Sequence, residues 1–300
     1  MYFGSVRFFK HLVLFFICLT FIASTIFIIV LCEENQALNN QLAKYNYDTS
    51  TELSLGLGIN IEAYASAAAR SIKLPYQELY PDLYATDEIG PAKTVAAKTI
   101  YLTFDDGPSK NTMEILTILD RYNVKATFFV EYAKDENAKK IYKEIVKRGH
   151  AIGVHTTSHQ YAQIYSSVEN YLADFNTVFT QIEQVTGVKT DLFRFPGGSI
   201  NGYNVRIHEE LIAEMLRRGY YYYDWAVSAD DTASNATWSS IFKSVVENAK
   251  DFDKPIVLMH DTAKQTHTVE ALEDIIVALK NSGYAFDKLD KSVRPYSFAY

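Results

Sequence analysis

The sequence predicts an α/β domain built on a parallel sheet and preceded by one N-terminal transmembrane helix. From residue 98 onward, apolar runs of strand length alternate with amphipathic helical patterns, which is typical of a parallel sheet covered by helices. The polar motifs described below follow directly after such runs, and a (β/α) barrel has its active site at that end of its strands. A long uncharged stretch near the N-terminus predicts the transmembrane helix.

Seven segments have the length and composition of strands. They are residues 98–104, 126–130, 151–154, 192–195, 221–225, 255–260 and 285–289. Amphipathic stretches lie between them, such as residues 168–185, where Leu172, Phe175, Phe179 and Ile182 share one face at helical spacing. This alternation predicts strands that run parallel, with the connecting helices outside the sheet.

Residues 12–31 contain no charged side chain and are long enough to cross the ~30 Å hydrocarbon core of a bilayer at about 1.5 Å per residue. Basic residues precede this run, and Glu33 and Glu34 follow it. The positive-inside rule therefore places residues 1–10 in the cytoplasm and the rest of the chain outside the cell membrane. A cleaved signal peptide is the alternative, but its apolar core usually has only about 7 to 15 residues. We expect an uncleaved signal anchor over residues 11–32.

The rest of the chain divides into a linking region, residues 33–96, and a domain, residues 97–300. The linking region carries none of the motifs and is interpreted as an extracellular stalk or a small packed extension of the domain. A net charge of −7 without a stripe of basic residues argues against a nucleic-acid partner. Both cysteines, Cys18 and Cys32, fall in or beside the predicted anchor, so we expect no disulfide and no Cys-ligated zinc in the domain.

Two motifs at strand ends predict a metal site. Asp105 and Asp106 follow an apolar run and precede a Gly-Pro turn, and two carboxylates so close together need a positive partner to offset their repulsion. His155 and His159 follow another apolar run. Two histidines and one aspartate are a ligand set for a catalytic divalent cation that keeps open positions for water. Each motif alone is also compatible with an ordinary surface turn, but their joint placement favours a metal.

These motifs resemble, in order, those of the polysaccharide deacetylases with a NodB homology domain, also called carbohydrate esterase family 4. Residues 103–108 are similar to the first motif and residues 155–159 to the second. Three later segments match in the same order: Arg194-Phe195-Pro196-Gly197-Gly198, Tyr223-Asp224-Trp225 and Leu258-Met259-His260. The resemblance runs from about residue 98 to about residue 290. It implies an irregular (β/α) barrel of about seven parallel strands, with a groove rather than a closed pore.

The resemblance also implies a metal site with its own ligands. Asp106, His155 and His159 would hold one divalent metal ion. Zinc is the leading candidate, and cobalt, nickel and iron are alternatives, because such a ligand set accepts each of them.

Four further residues would be catalytic by the same resemblance. Asp105 would be the general base and His260 the general acid. Arg194 would neutralise the charge beside Asp105. Asp224 would keep the imidazole of His260 oriented and protonated.

Three positions would contact the substrate. The backbone N–H of Gly197 would complete the oxyanion site, and Trp225 and Leu258 would line an acetyl pocket. Gly197 stands where many members of the family carry a larger residue, and Tyr221 stands where the fourth motif often has an acidic one.

The function implied is that of a membrane-anchored, metal-dependent hydrolase that acts on carbon–nitrogen bonds other than peptide bonds. It would remove N-acetyl groups from amino sugars of a cell-surface polysaccharide, and the predicted anchor favours peptidoglycan N-acetylglucosamine. Its partners would thus be an acetylated glycan and the membrane. Two alternatives remain open: an O-acetyl esterase acting on xylan or another glycan, and a non-catalytic glycan-binding surface protein.

Overall fold

The computed structural model describes residues 74–85 and 96–298. Within these two ranges, no helix is long and apolar enough to cross a membrane. The predicted anchor at residues 11–32 and most of the linking region lie outside the described residues.

One sheet, in which every paired strand is parallel to its neighbour, organises the domain. Its strands are β1 (Thr99–Gly107), β2 (Thr127–Glu131), β3 (Ala151–Thr156), β4 (Leu192–Phe193), β5 (Tyr221–Tyr222), β6 (Val227–Ser228), β7 (Ile256–His260) and β8 (Ala285–Phe286). The order across the sheet is β5-β4-β3-β2-β1-β7-β6, and β8 pairs with the start of β1. In the described chain the end strands β5 and β6 do not pair, so the sheet is an open half-barrel.

The predicted parallel α/β class is therefore confirmed, and each of the seven predicted strand segments contains a strand. β6, with only two residues, was not predicted. The helices are α1 (Thr112–Arg121), α2 (Glu136–Lys147), α3 (Tyr161–Ile164), α4 (Val168–Thr186), α5 (His208–Arg217), α6 (Trp238–Ala249) and α7 (Thr266–Asn281). α4 coincides with the predicted helix, and the four apolar residues that predicted it are all buried.

Alternate residues of the strands pack on opposite faces of the sheet. On β1, Ile100, Leu102 and Phe104 belong to the large cluster beneath the helices, whereas Tyr101 belongs to a second, smaller cluster. The smaller cluster consists of Tyr101, Phe129, Leu192, Tyr223, Ile256 and Leu289. Asp105 lies an even number of residues after Tyr101, so it projects from the face that carries this smaller cluster.

Residues 74–85 pack against the C-terminal end of α5. The buried guanidinium of Arg218 donates a hydrogen bond to Glu214 and also binds four backbone carbonyls of this segment. These carbonyls belong to Tyr76, Leu79, Tyr80 and Leu83, at 2.9–3.2 Å from the guanidinium nitrogens. The compact unit accordingly begins at Leu74, ahead of the domain start proposed at residue 97. This part of the linking region is a packed extension.

Candidate active site

The carboxyl ends of the parallel strands meet at one edge of the sheet and bring the motif residues together. Asp105 on β1 is in register with His260 on the neighbouring strand β7. The pairing of β1 with β2 is irregular between Asp105 and Gly107, and Asp106 has a left-handed φ of 68°. Consecutive strand residues normally point to opposite faces, and a bulge of this kind re-aims a side chain. Both adjacent carboxylates therefore reach the same edge.

Asp106, His155 and His159 form a compact triad there. Oδ1 of Asp106 lies 3.2 Å from Nε2 of His155 and 3.4 Å from Nε2 of His159. One potential ligand atom from each residue lies within 4.8 Å of the other two. Burial alone would raise the pKa of Asp106, but the contact with His155 and the charges of both imidazoles lower it to about 2. Asp106 is thus a carboxylate under all ordinary conditions.

The triad fits a divalent cation. Nδ1 of His155 is 3.0 Å from the backbone carbonyl of Arg194, so it donates its proton there and directs Nε2 toward Asp106, where a cation would take the Nε2 lone pair in place of a proton. Oδ1 of Asp106 is buried and has no hydrogen-bond partner among the described residues. A buried acceptor facing two imidazole nitrogens requires a cation to compensate its desolvation. Two nitrogens and one oxygen suit zinc or a related metal.

Asp105 is paired with Arg194 and stands apart from the triad's own contacts. The Arg194 guanidinium is fully buried and donates a 2.9 Å hydrogen bond to Oδ1 of Asp105. It also donates to Thr103 Oγ1 at 2.7 Å and to the carbonyl of Tyr223 at 2.6 Å, and it lies 4.5 Å from the ring centroid of Phe129. These contacts fix the orientation of the carboxylate. The predicted neighbour of Asp105 is therefore in place.

His260 is held from the opposite side by Asp231. Nδ1 of His260 donates to Oδ1 of Asp231 at 2.8 Å, and Oδ2 of Asp231 accepts from the backbone N–H of His260 and from Thr268, both at 2.8 Å. Burial alone would lower the pKa of His260, but the hydrogen bond and charge of Asp231 raise it to about 9, with help from Asp105 and Asp106. His260 is therefore a charged imidazolium with Nε2 left to face the site.

Comparison with known proteins agrees with this geometry. The family model for polysaccharide deacetylase matches residues 92–216. The putative polysaccharide deacetylase YheN of Bacillus subtilis is 34% identical over 202 residues, which cover 66% of this chain and 69% of that protein. This chain belongs to the polysaccharide deacetylase family. The predicted family and the predicted enzyme class, a hydrolase of carbon–nitrogen bonds other than peptide bonds, are confirmed.

Two further relatives of this deacetylase match it over nearly their whole length. A peptidoglycan-N-acetylglucosamine deacetylase of Bacillus cereus is 35% identical over 224 residues, covering 73% of this chain and 97% of that protein. The catalytic domain of a peptidoglycan N-acetylglucosamine deacetylase from Eubacterium rectale has a crystal structure that matches with a TM-score of 0.65 at 35% identity. That match covers 71% of this chain and 96% of the other.

The role predicted for Asp224 in this deacetylase is wrong. Asp224 does not contact His260. Its Oδ1 accepts from the backbone N–H of Ser199 at 2.8 Å, and its Oδ2 accepts from the Ser199 hydroxyl and, at 2.7 Å, from the N–H of Phe298. The reason is its strand: Asp224 follows β5 at one end of the sheet order, whereas His260 is on β7 near the other end. Asp231, seven residues later, makes the contact with His260 that was predicted for Asp224.

The three predicted substrate contacts lie around the same edge. Gly197 is exposed, and no described residue accepts a hydrogen bond from its N–H, so this donor is available to an oxyanion. Trp225 is half-buried, with its ring centroid 5.7 Å from the Arg194 guanidinium. Leu258 is buried on β7, in register with Thr103. Their roles toward a substrate stay predictions.

The sequence reading missed two acidic residues besides Asp231. Asp174 on α4 accepts hydrogen bonds from Thr156 Oγ1 at 2.8 Å and from the N–H of Thr157 at 2.9 Å, which fixes the loop leading to His159. Asp261 is fully buried beside the turn at Gly107, and burial raises its pKa to about 7. The position of Asp174 on a polar stripe of a helix gave no signal, whereas Asp261 directly follows the fifth motif.

Proposed function

We propose that this chain is a metal-dependent deacetylase that removes N-acetyl groups from amino sugars of a cell-surface polysaccharide, with peptidoglycan N-acetylglucosamine as the favoured substrate. The observation that carries the proposal is the pairing of Asp105 with His260 across neighbouring strands, beside a triad that fits a divalent cation. A candidate base and a candidate acid thus flank one metal site. The printed names of the Bacillus cereus and Eubacterium rectale relatives support the substrate.

The residues divide the chemistry between them. Asp106, His155 and His159 would hold the cation, which when bound polarises the acyl group and the attacking water. Asp105, oriented by Arg194, accepts the proton of that water. The N–H of Gly197 donates to the oxygen on which negative charge develops.

His260 donates from Nε2 to the departing nitrogen, while Asp231 holds its Nδ1 proton. An amine leaving group must be protonated as it departs, and the raised pKa of His260 supplies a protonated donor at neutral pH. An ester leaves with less need of an acid. The paired Asp231 and His260 therefore favour amide cleavage over ester cleavage as the function of this site.

The proposal places the domain outside the cell membrane, tethered by the predicted anchor at residues 11–32 so that it reaches the wall polymer. The charge distribution around the apolar run is what supports this orientation.

The test measures acetate released by the full-length chain from N-acetylglucosamine oligomers, peptidoglycan and acetylated xylan. Chelator should abolish release and added zinc should restore it. Asp105→Asn should lower the rate by roughly 10²–10⁴-fold, whereas the exposed Asp251→Asn should leave it unchanged. Full activity of Asp105→Asn would refute the mechanism.

A second variant separates amide from ester chemistry. His260→Ala should reduce acetate release from N-acetylglucosamine oligomers far more than from acetylated xylan, because only the amine leaving group depends on the acid. Equal loss on both substrates would contradict this role of His260, and release by the parent from acetylated xylan alone would favour the esterase alternative. Metal binding without turnover on any acetylated glycan would favour a glycan-binding protein.

A further inference from the structure

A buried carboxylate that takes no part in the proposed chemistry fastens the C-terminal tail, residues 290–298, to the site. Asp224 is fully buried, and its oxygens are shared between Ser199, in the loop after Arg194, and the backbone N–H of Phe298. The backbone N–H of Asp224 in turn donates to the carbonyl of Tyr296 at 2.9 Å. Burying a carboxylate is unfavourable unless several donors satisfy it. Here the donors come from the active-site loop and the tail, so the two are locked together.

The tail brings exposed aromatic rings to this position. Phe298 contacts the ring of Trp225 edge-on, with centroids 4.8 Å apart and planes at 82°. Tyr296 lies next to Phe298, at 6.3 Å between centroids. Phe298 and Tyr296 are each 39% exposed. Large apolar rings that are held in place yet exposed indicate a binding surface rather than core.

The surface lies directly beside the proposed reaction centre. Trp225 is 5.7 Å from the guanidinium of Arg194, which binds Asp105. Phe298 lies over Gly198, where an added Cβ would be 2.9 Å from its ring. Gly198 adjoins Gly197, which offers the free N–H. The tail is therefore connected through Trp225 and Arg194 to the proposed base, and through Gly198 to the proposed oxyanion donor.

We propose that the exposed ring of Phe298, held edge-on against Trp225, is a platform that stacks on a sugar ring of the polysaccharide, next to the ring that loses its acetyl group. The proposal rests on the proposed function and extends it by adding the C-terminal tail to the substrate site. The C–H face of a pyranose is apolar and fits an aromatic ring, while its edge hydroxyls stay in water. Because Asp224 fixes the tail before substrate arrives, the platform is preorganised, which lowers the entropy lost on binding.

The chain provides its own reporter for binding. It contains two tryptophans, Trp225 and Trp238. Trp238 is 40% exposed on α6, which matches the exposure of Phe298, and it stacks on Phe242. In Trp238→Phe the fluorescence comes from Trp225 alone, and in Trp225→Phe it comes from Trp238 alone.

The first experiment titrates each reporter variant with the N-acetylglucosamine pentamer. Both carry Asp105→Asn as well, so that the pentamer is bound without being consumed. We expect the emission of Trp225 to change on saturation and the emission of Trp238 to stay constant. A silent Trp225 in a protein that binds the pentamer by calorimetry overturns the proposal.

The second experiment measures kinetics of the otherwise native full-length chain on the same pentamer. Phe298→Ala should raise KM about three- to tenfold with kcat nearly unchanged, the range expected for loss of one aromatic contact. Phe298→Tyr should restore KM, whereas Phe298→Leu, which fills space without a ring, should not. Restoration by leucine as complete as that by tyrosine would show that the residue only packs, and would overturn the platform.

The outcomes separate this inference from the proposed function. Acetate release with an unchanged KM in Phe298→Ala and a silent Trp225 contradicts the platform and leaves the deacetylase intact. A response of Trp225 that Phe298→Leu abolishes, in a protein whose parent releases no acetate from any glycan, supports the platform and contradicts the proposed function.

Discussion

Replacing Asp231 by asparagine tests how this site keeps its acid protonated. The substitution removes the negative charge 2.8 Å from Nδ1 of His260 and nearly preserves the shape of the side chain. Its carbonyl oxygen can still accept the Nδ1 proton, so the imidazole stays close to its present orientation. The change removes the charge, and it also replaces Oδ2, which accepts from the backbone N–H of His260 and from Thr268, by an amide donor.

The magnitude follows from the pKa of His260. Burial alone would lower this pKa, but Asp231 leads the contributions that raise it from 6.5 to about 9. At 1.36 kcal/mol per pKa unit, the rise corresponds to roughly 3 kcal/mol in favour of the imidazolium. Because Asp105 and Asp106 supply a smaller part, we expect the variant to lower the pKa by about 2 units. At pH 8 the protonated fraction, and with it the rate of amide cleavage, should fall about tenfold.

The sign of the pH dependence is fixed by the direction of the shift. A pKa that is higher in the folded chain than in the unfolded chain stabilises the fold fully below pH 6.5, and this contribution disappears as the pH rises through about 9. Activity follows the same group. In the profile of kcat/KM against pH, the alkaline limb of the parent should therefore fall at a higher pH than that of Asp231→Asn.

The assay is acetate release from an N-acetylglucosamine oligomer between pH 5 and pH 10 at saturating zinc. Asp230→Asn is the matched control, because Asp230 is the exposed neighbour whose carboxylate binds Ser228 and Ser244 rather than His260. Bound metal shifts the alkaline limb of the parent and of both variants alike. The readout is therefore the difference between parent and variant in the pH at which this limb falls. An alkaline limb at the same pH in Asp231→Asn and Asp230→Asn would refute the reasoning.

Three further changes test other contacts. Asp174→Ala should weaken zinc binding by about 10–100-fold, measured by competition with a fluorescent chelator, because it removes the oxygen that accepts from Thr156 and Thr157 and so loosens the loop that leads to His159; unchanged affinity would contradict that role. Arg218→Met leaves the four backbone carbonyls of residues 76–83 without their donor, while Arg217 still binds Glu214, and should lower the free energy of unfolding in urea by about 1–3 kcal/mol; unchanged stability would contradict the account of the packed extension. Gly153→Ala places a methyl group 2.7 Å from a buried ring and should cost about 1–3 kcal/mol, whereas Gly202→Ala, with open space around it, should cost much less.

The long central strands were predictable because burial on both faces leaves a clear pattern. β1, β2, β3 and β7 are runs of four or more consecutive buried residues, and each stood out as an apolar segment. β6 was not predictable, because a strand of two residues, Val227 and Ser228, is too short to show any periodicity. Tertiary pairing with β7, and not local propensity, makes these two residues a strand.

The clustering of Asp105, Asp106, His155, His159 and His260 was predictable for the same reason, since all of them lie at the ends of the long strands or just after them. The residues that position them were not. Asp174 acts from a helix, through hydrogen bonds to a loop that is adjacent only in the folded chain. Phe298 reaches the site through contacts with residues about 75 to 100 positions earlier, and no local pattern indicates such contacts.

The exchange of roles between Asp224 and Asp231 shows how the order of strands decides chemistry. Both aspartates follow a two-residue strand, and they are seven positions apart. On local sequence alone, either of them could be the partner of His260. β5 pairs with β4, which directs Asp224 toward the loop after Arg194. β6 pairs with β7, with Ser228 in register with Leu258, and this places Asp231 beside His260. Between the two strands the chain crosses the open side of the half-barrel. Asp224 therefore binds the loop after Arg194, the residue that contacts Asp105, whereas Asp231 binds the imidazole of His260.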